Sequence, residues 1–95
     1  MQTDIKSLRI VAAALRRKLN NIVYSLPPPA RHHTIMHALV HDGVECNNRF
    51  DQGFVTNEGN FVGRIQAMDI ARINNQLLDR APTGPPNTLF SEDVW

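Results

Sequence analysis

Three consecutive prolines, Pro27-Pro28-Pro29, divide this chain more sharply than any other feature. None can donate a backbone hydrogen bond, so no regular element runs through them, and Pro29 already holds the φ that a first helical turn requires. The run before them, Ile22-Val23-Tyr24-Ser25-Leu26, is β-branched and aromatic and reads as a strand. Upstream, Ile10-Val11-Ala12-Ala13-Ala14-Leu15 supplies its hairpin partner, with a polar turn through Arg16 to Asn21. Ile5, Leu8, Val11, Leu15 and Leu19 also recur at helical spacing, so over residues 5–15 periodicity leaves helix and strand both open.

Past the prolines a helix is expected from about Ala30 to Gly43, with His32, Ile35, Met36, Leu39 and Val40 on one core-facing arc. Residues 44–53 show no periodicity and read as a loop. Phe54-Val55-Thr56 and Asn60-Phe61-Val62 flank Asn57-Glu58-Gly59, which predicts a short hairpin with Gly59 at positive φ. A second helix follows from Arg64, with Ala67, Ile70, Ala71, Ile73, Asn74, Leu77 and Leu78 on its inner arc. Gly63 and Gln66 occupy the N-cap and capping-box positions, and Asn75 suits a left-handed C-cap. A proline- and glycine-rich connector over 81–88 leads to Leu89-Phe90-Ser91-Glu92-Asp93-Val94-Trp95, too apolar for a frayed end and expected to dock. The pattern predicts a single α+β domain: a small antiparallel sheet made of an N-terminal and a central hairpin, packed with two helices and a docked tail.

Composition narrows the function classes. With 95 residues, 42% of them hydrophobic, the chain has one small core, and homo-oligomerisation is expected to support it. A net charge of +1 provides no global field toward nucleic acid or anionic membrane, so anion binding must be local. The single Cys46 excludes an internal disulfide and a cysteine-type zinc site and fits a reducing compartment. No apolar run approaches the roughly 20 residues that cross a bilayer, and no leader pattern opens the chain, so neither membrane insertion nor export is expected.

Two places concentrate chemistry. Arg31-His32-His33 falls at the first turn of the expected first helix, where unpaired N–H groups and the dipole favour an anion. Arg64 opens the second helix in the same way. If those tips converge, Arg31 and Arg64 suit the phosphates of a nucleotide-like ligand, His32 and His33 its hydrogen bonds, and Asn57 or Glu92 its ribose or base. The competing reading has both arginines pairing with Glu92 and Asp93 to clamp the tail, and His32 as a buried histidine bonded to backbone. His33, His37 and His41, four apart, line one helix face, where a metal would need a third ligand that nothing specifies; a solvated face is favoured and no cofactor is expected. Thr34 stands where a zinc-protease helix carries its glutamate, which removes that enzyme class. A hydrolase using His33 or His37 as general base lacks an activated nucleophile or carboxylate pair, so binding is expected over catalysis.

In combination, Leu26-Pro27-Pro28-Pro29-Ala30-Arg31-His32-His33, Gln52-Gly53-Phe54-Val55-Thr56, Gly59-Asn60-Phe61-Val62, Arg64 and Leu89-Phe90-Ser91-Glu92-Asp93-Val94-Trp95 resemble a family of small tailed-bacteriophage accessory proteins. The likeness covers roughly residues 10 to 95. This chain departs from the pattern at Gly63, Gln66 and Asn74-Asn75, where the family has an aspartate, a glutamate and an Ala-Gly pair, and at Arg16-Arg17-Lys18, where it favours a glycine-containing turn. Each helix-end replacement is a cap of the same kind, so the helix is expected to survive. The resemblance implies a phage protein of the host bacterial cytoplasm that opposes host defence, by sequestering a nucleotide signal or by binding a host protein. It carries over no catalytic residue.

Overall fold

A computed structural model describes residues 7–46, 48–79, 81 and 83–95. The elements run β1 (Ile10–Arg17), β2 (Val23–Leu26), α1 (His32–His41), β3 (Phe50–Thr56), β4 (Phe61–Gly63) and α2 (Arg64–Ile73), followed by a 3-10 turn at Ser91–Asp93. The four strands form one antiparallel sheet in the order β2-β1-β3-β4, and with the two helices they make an α+β fold.

Residues 10–15 are strand. The choice that periodicity left open is made by pairing, because β1 lies between β2 and β3 and fills both of its hydrogen-bonding edges. Ile5 lies outside the described residues. The turn is shorter than expected, since β1 continues to Arg17, and it closes through Asn21 at φ 61. Paired residues of antiparallel strands share a sheet face. On one face lie Ala13, Leu15, Tyr24, Phe50, Phe54 and Val62, and both helices cover it. The opposite face carries Ala12, Ala14, Arg16, Ser25, Asp51 and Phe61. There the Phe61 ring lies over Gly53, and the Arg16 guanidinium stacks on Phe61 at 4.6 Å.

The core joins the sheet to Ile35 and Leu39 of α1, to Ala67, Met68, Ile70 and Ala71 of α2, and to Leu89 of the tail. Helix α1 begins at His32, two residues later than expected, with Arg31 as N-cap and the Thr34 hydroxyl accepting the Arg31 N–H at 3.1 Å. Asp42 caps its far end, and Gly43 follows at φ 85. Val40, expected on the inner arc, is 59% exposed, because α1 rests on the sheet through His32, Ile35 and Leu39, with Met36 partly buried beside them.

The expected loop over 44–53 is corrected at its second half: β3 begins at Phe50 and runs unbroken into the central hairpin. Asn47 of that stretch lies outside the described residues. Gly59 adopts φ 84, the left-handed region in which a side chain is strained. Helix α2 starts at Arg64 behind Gly63 and ends at Ile73; Leu77 and Leu78, expected on its inner arc, lie beyond it, and Ile73, expected there too, is 46% exposed. Asn75, at φ 55, takes the left-handed position just beyond. Of the connector 81–88, Pro82 lies outside the described residues.

Three side-chain amides extend the sheet where β1 loses its register between Ile10 and Ala12. Gln76 accepts from the Ile10 N–H and donates to its carbonyl, both at 2.8 Å. Asn57 does the same for the Arg9 N–H, at 2.9 Å, and the Ser7 carbonyl, at 3.1 Å. Asn74 donates to the Leu8 carbonyl. Side chains thus complete hydrogen bonds that a further strand would otherwise supply.

Candidate functional site

Both helix N-termini meet the same segment, the tail. From the N-cap of α1, the Arg31 guanidinium donates to a Glu92 carboxylate oxygen at 3.0 Å, to the Ser91 hydroxyl at 3.4 Å and to the Trp95 carbonyl. The Trp95 indole N–H returns a bond to the Ala30 carbonyl at 3.1 Å, and its ring stands edge-on to Phe54 at 6.3 Å. From the first residue of α2, the Arg64 guanidinium donates to the Leu89 carbonyl at 2.7 Å and to the Gln52 side chain, and it stacks over the Phe90 ring at 4.3 Å. The Leu89 N–H in turn donates to the Arg64 carbonyl at 3.0 Å. Arg31 therefore engages the expected acidic residue, Glu92, while Arg64 holds tail backbone and an aromatic ring instead of Asp93. Asp93 is buried, and its carboxylate accepts the Thr83 N–H at 2.8 Å and the Phe90 N–H at 2.9 Å.

The electrostatics follow from that packing. The Ser91 hydroxyl, at 2.7 Å, holds the Glu92 carboxyl below the ordinary carboxylate range; partial burial opposes this, and Arg31 adds to it. Burial pulls the Arg64 pKa down, with Glu92 and Asp93 opposing. His32 is 6% exposed, contacts the Phe54 ring edge-on at 5.0 Å and bonds through Nε2 to the Gly53 carbonyl at 2.7 Å. Burial dominates there and lowers its pKa to about 4, so at neutral pH it is an uncharged donor to the sheet.

The remaining candidates are spread elsewhere. Asn57 is occupied by Ser7 and Arg9. His33 and His37 are exposed neighbours with ring centroids 6.1 Å apart, and His41 lies 3.7 Å from Asp42. Among the described residues, no group of three or more His, Cys, Asp or Glu is placed to hold a metal ion. No helix among them is long and apolar enough to cross a membrane.

Sequence reasoning missed an opening beside α1. A groove of about 350 Å³ separates the edge strand β2 from α1, lined by Val23, Tyr24, Ser25, Leu26, Ile35, Ala38, Leu39 and Asp42. The Arg17 N–H bonds to the Ile22 carbonyl at 2.8 Å, and hydrogen-bonded pairs alternate in an antiparallel ladder. Tyr24 and Leu26 therefore bond inward to β1, and the N–H and C=O groups of Val23 and Ser25 point away from the sheet. The signal was present in the prolines, which stop β2 from gaining a longer partner, but only topology shows that β2 is an edge.

A family model described as phage T4 y16D protein matches residues 9–95. The chain belongs to the phage T4 y16D protein family. The match takes in every strand and helix and the whole tail, so the Arg31 and Arg64 contacts lie within the span that defines y16D proteins. No curated protein and no solved structure matches the chain.

Proposed function

We propose that this y16D family member is a phage accessory protein that works by contact with a host protein, taking an extended segment of that partner as a fifth strand on β2. The observation that carries this reading is the pair of outward-facing peptide groups at Val23 and Ser25, set beside the groove under α1. Strand addition draws its affinity from such main-chain groups and its specificity from pockets that receive alternate side chains. Ile22, Val23 and Leu26 are exposed along the same edge and supply apolar contact. Among the described residues, Asp42 is the one charged side chain lining the groove, at the negative C-terminal end of α1, which favours a partner strand carrying a lysine or arginine there. A phosphate-bearing ligand held by Arg31 and Arg64 has less support, because it must first displace Glu92 and the Leu89 carbonyl.

The test places a photo-crosslinking residue at Ser25, and as a control at exposed Asp69 of α2, in protein made inside the bacterial host. A host-protein adduct from position 25 that is absent from position 69, and lost when Val23→Pro removes an outward N–H, is expected. A self-adduct at position 25, or equal adducts at both positions, overturns the reading.

A further inference from the structure

At the far end of the first hairpin a second cleft, of about 210 Å³, is lined by Arg17, Lys18, Leu19, Asn48 and Arg49. We propose that this cleft binds a phosphomonoester group, with the body of the ligand resting on Leu19. Of the described residues that line it, Arg17, Lys18 and Arg49 are cations and none is acidic. They come from two segments whose positions are fixed, since the Lys18 N–H donates to the Arg49 carbonyl at 2.9 Å and Arg17 pairs with Phe50 in the β1–β3 ladder.

Nearby carboxylates do not neutralise the cluster. Arg49 reaches Glu45 at 3.4 Å, and Arg16 and Lys18 share Asp51 at 3.1 and 3.9 Å. Arg17 has no ion-pair partner among the described residues. Four cations, Arg16, Arg17, Lys18 and Arg49, thus face two carboxylates, Glu45 and Asp51. Two positive charges are left over at one tip of a chain whose entire net charge is +1. Like charges gathered with so little compensation repel one another, and a dianionic phosphate relieves that repulsion while accepting guanidinium and ammonium hydrogen bonds.

Size and shape select the class further. The cleft admits a phosphoryl group and part of a small attached body, and the cations are gathered at a tip instead of running in a stripe, which disfavours a nucleic-acid backbone as ligand. Leu19, 83% exposed at the mouth, is an apolar ledge suited to the ring or alkyl part of a phosphorylated metabolite.

Amide-resolved NMR titration of the full chain at constant ionic strength tests the site, with adenosine monophosphate, ribose 5-phosphate, inorganic phosphate and adenosine as separate probes. Saturable shifts at Lys18, Leu19 and Arg49 from the first two, and none from adenosine, are expected. Tighter binding of adenosine monophosphate than of ribose 5-phosphate assigns Leu19 to the base, whereas tighter ribose 5-phosphate binding removes that part of the proposal. Arg17→Gln is expected to weaken binding about tenfold and Arg17→Gln with Arg49→Gln to abolish it, while both variants keep the wild-type melting temperature. Shifts from inorganic phosphate equal to those from the esters, shifts centred on Arg31 and Arg64, or no saturable shift from any probe overturn it.

Discussion

His32 shows how one residue couples the site to the core. Its neighbour Arg31 reaches the tail, whereas His32 turns inward, donates to Gly53 and stays uncharged. The unfolded chain binds a proton there near pH 6.5, while the folded chain resists protonation until about pH 4. Below 6.5 the unfolded state thus holds more protons, so stability falls as pH drops through that window and levels off below pH 4, a loss on the order of 3 kcal/mol. Urea unfolding between pH 7 and pH 4 is expected to show this slope, and His32→Leu to flatten it. Glu92 has the opposite chemistry and the same direction: its depressed carboxyl contributes above its ordinary pKa and is lost as pH falls. Arg31→Ala removes the bonds to Glu92, Ser91 and the Trp95 carbonyl together. It is expected to cost about 1–3 kcal/mol and to red-shift the fluorescence of Trp95, the chain's single tryptophan.

At the scale of elements, the sheet depends on small residues where strands and rings approach closely. A Cβ at Gly53 would run into the Val62 carbonyl and the Phe61 ring. Gly53→Ala is therefore expected to separate β3 from β4 and destabilise by about 1–3 kcal/mol, seen as lost protection of the Val62 amide in hydrogen exchange. β2 is expected to behave differently. Ser25→Pro removes an N–H that points away from β1, so its effect on the urea midpoint should stay within about 0.5 kcal/mol while strand addition is blocked. Along these elements, the two helices and the central hairpin were legible because periodicity, Gly59 and the proline stop all act locally. The start of β3 was not. Phe50-Asp51-Gln52-Gly53 lacks alternation because Gly53 makes room for Phe61, Asp51 pairs with Arg16, and Gln52 serves Arg64. Each of those partners is remote in sequence.

For the whole molecule, the tail is part of the core. Leu89 is fully buried, and Val94 and Trp95 pack against the same cluster. Each such side chain contributes about 1.5–3 kcal/mol on burial, and a domain of this size has only about 5–10 kcal/mol in total. Removal of residues 89–95 is expected to abolish cooperative thermal unfolding measured by circular dichroism.

The order of residues by itself determined the proline break, the helix after it, the central hairpin and the apolar character of the tail, since each rests on local backbone preference or on spacing along a few turns. It also placed an arginine at the start of each helix. Which groups those arginines contact depended on Ser91, Glu92, Leu89 and Phe90, tens of residues away, and followed only from their packing against the helix starts. The same holds for the open edge of β2 and the cationic cleft at Arg17, Lys18 and Arg49. Which backbone groups stay unpaired, and which like charges are forced together, are properties of strand order and of contacts between distant segments, and local preference carries no record of either.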